Sequence, residues 1–339
     1  MRLFASRHGD KGRVDTFVQE ESKVTCCVDL GLLATSLVLI SSTVAHASLD
    51  EPSGINLGGT SFMDGFGRTD PGFVYQQYLQ VEHYDAINDQ NGHSLPAFQG
   101  ADINAVTSLN QFTYVSPYHV FGGALGVDLF LPIVNLSAGF APTSPEKLTA
   151  YSGLAFGDLT WGPFLQMPAM TIGGGVVFVQ RFEFLVISPT GQSNHAVNIN
   201  PSSGFWSLNA VWAITLLPTP NTEFSTRLNY VHNFQNNNPA GGAAPFRAGD
   251  AVWANFAASY KVLPALNLGL NGYYFQQIQN DTVNGETSQN SETINFSLGP
   301  GLMYQPDKHN TFFVNAYLPV IERNTTSGFH LVFRWIHEF

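Results

Sequence analysis

Apolar and polar residues alternate with a period of two through most of this sequence. In the stretch FHLVFRWIHEF, Phe329 and Phe333 fall on one side of the alternation, whereas His330 and Arg334 fall on the other. A period of two is typical of a β-strand, because successive side chains of a strand point to opposite faces of its sheet. Similar runs recur along the chain, so the pattern predicts an all-β protein.

About twelve such strands are predicted. They span residues 72–84, 102–116, 120–136, 155–167, 174–187, 204–217, 222–235, 249–262, 265–279, 291–305, 310–321 and 328–339. Most are longer than the usual five or six residues of globular strands. They are long enough to cross a bilayer at a tilt with residues to spare at both rims.

Short and long connectors alternate between these strands. The predicted tight turns are 116–119, 168–173, 218–221, 263–265 and 306–310. The long connectors are rich in Asn, Gly, Ser and Pro and include 85–101, 188–203, 236–248 and 280–290. This alternation is typical of outer-membrane barrels, whose periplasmic turns are short and whose outer loops are long.

The pattern therefore predicts a transmembrane antiparallel up-and-down β-barrel over residues 71–339, in the outer membrane of a Gram-negative bacterium. Strands cross a bilayer only as a closed sheet, because the bilayer offers no water to an unpaired amide. An extracellular β-sandwich also alternates with a period of two. Strand length favours the barrel over the sandwich.

The first 47 residues resemble a long secretory leader. An apolar run over 30–40 is followed by small residues at Ala45 and Ala47, which predicts a signal peptide over 1–47. The run is shorter than the ~18 residues that a membrane helix needs. Both cysteines, Cys26 and Cys27, precede it, so no disulfide is expected after cleavage.

Residues 48–70 form a Gly-rich segment before the first predicted strand. Phe62, Met63 and Phe66 lie within it, and aromatic residues are unusual in disordered tails. We expect either a plug that folds into the lumen or a plain periplasmic segment.

Composition narrows the classes of partner. The chain is 12% charged and 13% aromatic, which is too apolar for a disordered protein. Its formal net charge of −11 argues against nucleic acid as a partner. We expect membrane lipid and a small hydrophobic or aromatic solute as partners, with the outer-membrane assembly machinery bound through Phe339. No cofactor or metal is expected.

Charged residues on the predicted lumen face are candidates for selectivity. They are Asp128, Asp158, Arg181, Glu183, Glu223, Arg227 and Arg334. Asp128, Asp158 and Arg181 lie on consecutive strands, about eight to ten residues from their short turns, and are expected at similar height. Such a ring could select solutes. An internal salt-bridge network that holds the wall together is the alternative.

Aromatic residues share the same predicted face. They are Phe130, Phe164, Trp253, Tyr273, Phe275, Phe313 and Tyr317. Aromatic surfaces mixed with amides would suit a flat apolar ring that carries one polar group. The alternative is that these side chains only fill a narrow bore.

No catalytic motif is evident, and we expect no enzyme. The G-x-S-x-G pattern of serine hydrolases does not occur. His232 is the histidine to test for a barrel lipid hydrolase, but it is predicted to face outward without an evident Ser or acid partner. A structural or adhesive barrel with a closed lumen is a further alternative.

Several stretches resemble a known family. They are GINLGGTSFMDGFG (54–67), PGFVYQQYLQ (71–80), FGGALGVDLFLPIVNL (121–136), GLAFGDLTWGPFLQ (153–166), RFEFLVISPTG (181–191), NINPSSGFWSLNAVWA (198–213) and GLNGYYFQQ (269–277). Together they resemble the meta-pathway of phenol degradation family, the SphA-like outer-membrane proteins. The resemblance implies an outer-membrane channel for uptake of aromatic or other hydrophobic compounds, by analogy with fatty-acid and toluene transporters. It implies no catalytic residue.

Overall fold

A computed structural model describes residues 54–240 and 243–339 of the chain. The predicted signal peptide, with Cys26 and Cys27, lies outside the described residues, as do positions 48–53 of the Gly-rich segment. Within the described ranges, no helix has the length and apolarity needed to cross a membrane.

Twelve long strands of the described residues form one antiparallel sheet. They are β1 Gly72–Ile87, β2 Asp102–Val120, β3 Gly123–Gly139, β4 Leu159–Gln166, β5 Val176–Ser188, β6 Ser207–Thr219, β7 Thr222–Asn233, β8 Ala251–Leu263, β9 Leu266–Gln277, β10 Ile294–Tyr304, β11 Asn310–Arg323 and β12 Thr326–Glu338. Shorter strands are Leu154–Phe156, Met170–Ile172, Phe246–Arg247, Thr282–Val283 and Glu286–Thr287. The last three pair in a small separate sheet.

The sheet closes on itself because β12 pairs with β1. The register of this pair runs from Val74 opposite Glu338 to Ile87 opposite Thr326. Every long strand also pairs with its neighbours in sequence, so the barrel has no open edge and its backbone amides are paired within the sheet. The predicted all-β barrel of about twelve strands is confirmed.

Apolar residues lie on the outside of this barrel and polar residues inside it. Phe182 and Trp212 stack with ring centroids 6.0 Å apart, yet each is 40% exposed. By contrast, Asp128 is 0% exposed and Glu223 is 1% exposed. A β-sandwich would bury the first pair and expose the second. This inversion is typical of outer-membrane barrels, and the predicted location in a Gram-negative outer membrane is confirmed.

Two predicted turns lie elsewhere. Residues 116–119 continue β2, and the β2–β3 turn is formed by Phe121 and Gly122, both with positive φ. Pro117 suggests a turn by sequence, but it sits in a bulge between Val115 and His119. Part of the predicted turn 168–173 is a short strand, Met170–Ile172, which pairs with β5. The chain reverses direction just after it, over Gly173–Gly175.

The predicted strand 155–167 is interrupted. Leu154–Phe156 and β4 both pair with β3, but Gly157 and Asp158 lie between them, outside the ladder. Pro132 of β3 lies opposite this break, and its carbonyl accepts a hydrogen bond from the Gly157 amide at 3.0 Å. A proline has no N–H to donate to a ladder, so the pairing is lost at this point.

Candidate functional site

Residues 54–67 lie inside the barrel and are called here the lumenal segment. Its amides donate to inward-facing side chains of the wall: Gly58 to Asn255 at 3.0 Å, Met63 to Glu223 at 2.9 Å, and Gly65 to Thr215 at 2.8 Å. The segment forms no strand of its own, so these side chains satisfy backbone groups that would otherwise be buried unpaired.

Glycine at position 65 lets the lumenal segment approach the wall closely. A Cβ at Gly65 would lie 2.5 Å from the backbone nitrogen of Thr215 and 2.6 Å from the carbonyl oxygen of Val179. Neither atom can move without disturbing β5 and β6, so any larger residue would push the segment away from the wall.

Apolar side chains anchor the segment at two levels. Phe62 is 1% exposed and packs with Met303 and Phe313, and Met63 packs partly buried against the same cluster. Leu57 packs in a second cluster whose aromatic members are Trp253, Tyr273, Phe275 and Tyr317. Phe66, also predicted for the plug, is 40% exposed. Burial of Phe62 and Leu57 stabilises the inserted position by about 1.5–3 kcal/mol each.

A chain of buried ion pairs joins the segment to the wall. Asp64 accepts two hydrogen bonds from Arg227, one from Nε at 2.7 Å and one from a terminal nitrogen at 3.2 Å. Arg227 also donates to Glu183 at 3.0 Å, and Glu183 accepts from Arg181 Nε at 2.6 Å. Buried charges are tolerated when they are paired in this way.

The chain of charges continues to β3. Asp128 accepts from a terminal nitrogen of Arg181, from Thr113 Oγ1 at 2.5 Å and from Gln111 Nε2 at 2.9 Å. The Arg181 guanidinium lies 3.6 Å from the centroid of the Phe164 ring. The structure therefore brings Asp128, Arg181, Glu183 and Arg227 of the predicted residues into one network.

Arg334 reaches the same network from β12. It donates to Gln76 Oε1 at 2.6 and 3.1 Å and lies 3.9 Å from Asp64 Oδ1. Its guanidinium faces the rings of Tyr78 and Phe313 at 5.1 and 5.0 Å. The Asp64 carboxylate therefore lies between two guanidinium groups, that of Arg227 on β7 and that of Arg334 on β12.

Asp158 does not belong to the network, and the expectation of similar height with Asp128 and Arg181 is wrong. Asp128 lies opposite Gly162, four residues along the strand from Asp158. Asp158 instead accepts hydrogen bonds from Gly191, Ser202 and Ser203 of an outer loop, at 2.6 to 3.0 Å. Equal distance from a turn does not give equal height, because strands of a barrel are staggered and turns differ in length.

Glu223 is also apart from the network. It accepts from the Met63 amide, from Ser225 Oγ, and from Ser259 Oγ at 2.7 Å. Its carboxylate therefore holds the lumenal segment at Met63 and does not line the cavity described below.

A cavity of about 1240 Å³ remains inside the barrel. It extends from outer-loop residues such as His195 and Pro239 to periplasmic residues such as Pro264 and Gln305. Its lining includes the inward faces of β1, β2 and β3. The apolar lining residues of β2 and β3 are Ile103, Ala105, Leu109, Phe130, Pro132, Val134 and Leu136. Polar and charged residues line it too: Gln76, Gln80, Asp64, Arg181, Glu183, Arg227 and Arg334.

Three of the predicted aromatic residues line this cavity and four do not. Phe130, Trp253 and Phe313 line it, and the last two also pack in the clusters of Leu57 and Phe62. Phe164, Tyr273, Phe275 and Tyr317 are buried, the first under Arg181 and the others around Leu57. Sequence reasoning could not make this division, because both groups lie on inward-facing positions of their strands.

Asp64 is the functional candidate that sequence reasoning missed. It is 5% exposed and lies between two arginines, although it precedes all the predicted strands. One signal could have found it: it is the single charged residue in the stretch GINLGGTSFMDGFG. A lone charge among glycines and aromatic residues indicates a paired, buried position.

His232 has an acid partner that the sequence did not reveal. Its Nδ1 lies 2.9 Å from Asp250, which also accepts from Tyr230 at 2.8 Å and from Arg247 at 2.9 Å. Burial opposes ionisation of Asp250, but these hydrogen bonds prevail and hold its pKa below the usual range. Among the described residues, no serine hydroxyl bonds to His232.

The sequence of this chain matches a known protein family. Residues 84–335 match the model of the family described as "Putative MetA-pathway of phenol degradation". No curated protein sequence matches the chain.

Solved structures share the fold at low sequence identity. An outer membrane channel from Pseudomonas putida F1 aligns with a TM-score of 0.70 at 15% identity, over 84% of this chain and 100% of that one. The transport unit of the autotransporter AIDA-I from Escherichia coli gives 0.45 at 10% identity, over 89% and 97%. The P. putida toluene transporter TodX gives 0.39 at 11% identity, over 85% and 99%. The first alignment shows that this chain has the fold of an outer-membrane channel.

Proposed function

The chain belongs to the phenol-degradation family matched above, and from that premise we propose that it is an outer-membrane channel for the uptake of small hydrophobic or aromatic compounds. The observation that carries the proposal is the cavity beside the lumenal segment. Its lining reaches both outer loops and periplasmic turns, and it combines an apolar wall on β2 and β3 with a small number of charged groups. Sites for small organic molecules usually have this composition.

In this proposal, residues 48–70 are a plug and residues 71–339 are the conducting barrel. The plug narrows the lumen to the cavity that remains beside it, because Phe62 and Leu57 pack against residues of β8, β9, β10 and β11. A narrowed, partly apolar passage would favour flat hydrophobic solutes over large hydrated ones.

Uptake of a labelled solute tests the proposal. Purified protein is inserted into liposomes, and entry of radiolabelled phenol and toluene is compared with entry into liposomes without protein. The same liposomes are tested for entry of sugars, and a variant lacking residues 49–66 is run in parallel. We expect faster entry of the aromatic solutes with the intact protein, and entry of sugars only with the deletion variant.

A second candidate is a barrel with structural or adhesive duty and a closed lumen. The extensive anchoring of the lumenal segment favours it, since Asp64, Phe62 and Leu57 are all buried in contact with the wall. The liposome experiment separates the two. Aromatic entry that never exceeds the protein-free rate would support the closed barrel.

A further inference from the structure

Arg334 is the arginine of the ion-pair network that donates no hydrogen bond to a carboxylate. Arg181 and Arg227 each donate to two carboxylates. Arg334 donates only to the neutral side-chain oxygen of Gln76, and its closest carboxylate oxygen among the described residues is that of Asp64, 3.9 Å from Nη1. Both Asp64 oxygens already accept from Arg227. The charge of Arg334 is therefore only partly compensated.

The Nη1 atom of Arg334 is open to the cavity. It makes no hydrogen bond within the part of the chain that the structure describes. Eight buried side-chain atoms of that part lack a partner, and Nη1 is not one of them, so it has accessible surface. The Arg334 side chain is 8% exposed and lines the cavity inside the closed barrel, so this surface faces the lumen. A solute in the cavity can therefore reach a charged donor that has no acceptor.

The acidic residues on the strands beside Arg334 are too distant to pair with it. Glu82 on β1 and Glu338 on β12 also line the cavity, but each lies four positions along its strand from the level of Arg334. Four residues of a strand span about 13 Å. On β11, the residue opposite Arg334 is Phe313. An anion bound at Nη1 would therefore meet no carboxylate from these strands.

An apolar surface lies beside the guanidinium. Arg334 is opposite Tyr78 on β1, and its guanidinium lies 5.1 Å from the centroid of that ring. Leu109 on β2 is opposite Tyr78, and Pro132 on β3 is opposite Leu109. These residues all line the cavity. Neighbouring strands are about 5 Å apart, so one aromatic ring held at the guanidinium would reach the apolar side chains.

A guanidinium beside an apolar wall suits an aromatic carboxylate. The guanidinium of an arginine only donates hydrogen bonds and keeps its charge, whereas a carboxylate only accepts them and carries the opposite charge. Hydrogen bonds between charged groups are roughly twice as strong as those between neutral groups. Neutral aromatic compounds supply no such charge. Arg334 therefore distinguishes an aromatic acid from a neutral aromatic compound of the same size.

We propose that Arg334 binds the carboxylate of small aromatic acids inside the lumen, with the ring of the solute against Leu109 and Pro132. This site rests on the proposed function, since it names a solute class for the same cavity. Arg334 Nη1 donates to a carboxylate oxygen of the solute. The rings of Tyr78 and Phe313 face the guanidinium at 5.1 and 5.0 Å and hold it in position.

Calorimetric titration of the protein in lipid nanodiscs tests the site, with empty nanodiscs as the blank. Benzoate and benzamide, which have nearly the same shape but differ in charge, are titrated at neutral pH into the intact protein, Arg334→Gln and Arg334→Lys. Glutamine removes the charge, and lysine keeps it. The matched control is Lys261→Gln, which removes another cation from the cavity lining. Heat-dependent gel mobility checks that each variant is folded.

We expect the intact protein to bind benzoate about 10-fold more tightly than benzamide, as for a hydrogen bond to a charged group. Arg334→Gln should lose this preference with benzamide affinity unchanged. Arg334→Lys should keep part of the preference, and Lys261→Gln should keep all of it.

Equal affinity of the intact protein for benzoate and benzamide would overturn the carboxylate site, and this comparison needs no variant to fold. A preference that persists in Arg334→Gln would also overturn it, as would a folded Arg334→Gln that loses both ligands alike. In each case, entry of toluene into liposomes above the protein-free rate would leave the channel proposal intact. If the intact protein binds neither ligand and admits neither phenol nor toluene, the proposed function itself fails.

Discussion

Replacing Asp64 by asparagine is expected to release the lumenal segment from its arginine contacts. Asparagine has almost the same shape as aspartate but no charge. The packing of Phe62 and Leu57 and the hydrogen bond from the Met63 amide to Glu223 therefore stay in place. The change removes the carboxylate that accepts from Arg227 at 2.7 and 3.2 Å and that lies 3.9 Å from Arg334.

The size of the effect follows from the burial of these groups. Removing one partner of a buried, hydrogen-bonded ion pair costs about 3–5 kcal/mol, because the remaining charge is left uncompensated. Arg227 keeps its hydrogen bond to Glu183 at 3.0 Å, so the lower value of about 3 kcal/mol applies. Since every 1.4 kcal/mol is tenfold, the population with the segment displaced should rise about 100-fold.

Single-channel recording in planar bilayers measures this population as the frequency of large openings. The intact protein, Asp64→Asn and the variant lacking residues 49–66 are compared at the same protein density. Asp70→Asn is the matched control: Asp70 is exposed, and among the described residues only its carbonyl oxygen is engaged, by Arg68. The Asp64→Asn variant should open to the conductance of the deletion variant, but only part of the time.

An Asp64→Asn trace that matches the intact protein, when the deletion variant opens fully, would refute the argument that the ion pairs hold the segment. A trace that matches Asp70→Asn would have the same meaning. If the deletion variant also shows no openings, the lumenal segment does not restrict conduction at all.

Three further outcomes are expected. Asp158→Ala removes the acceptor of the hydrogen bonds from the outer loop at 189–206, so protease added to intact cells should cut this loop faster. Asp250→Asn should loosen the contacts to His232 at neutral pH and make the neighbouring loop more sensitive to protease. The pKa of Asp250 is lowered in the folded state, so the stabilisation from its carboxylate is present above about pH 4 and is lost as the pH falls through that lowered pKa. The protease sensitivities of the variant and the parent should therefore converge at low pH. Removal of Phe339 should reduce the amount of folded barrel in the outer membrane, measured by heat-dependent gel mobility, if the assembly machinery binds this residue.

The predicted strands agree with the structure where the alternation is unbroken. β7, β8 and β10 each begin and end within three residues of their predicted bounds. The agreement fails where a proline or glycine interrupts the pattern, as at Pro117 and Gly157. A proline in a bulge and a proline in a turn have the same sequence signal, and only pairing with a neighbouring strand distinguishes them.

The sequence likewise predicts one part of the candidate site and not the other. Inward-facing charges such as Asp128 and Arg181 could be identified from the face on which they lie. Their partners could not be, because a partner depends on the stagger between strands far apart in sequence. Asp158 illustrates this, since it shares the inward face with Asp128 but bonds to an outer loop.

By itself, the sequence determined that this chain forms long strands with an apolar outside and a polar inside, because the alternation of a strand is a local property of consecutive residues. Only the tertiary structure decided that Asp64 meets Arg227 across 163 positions of sequence, and that a cavity remains in the bore beside the lumenal segment. Such contacts arise from closure of the barrel and from the path of a segment that has no periodic pattern, and neither is encoded in any short run of residues.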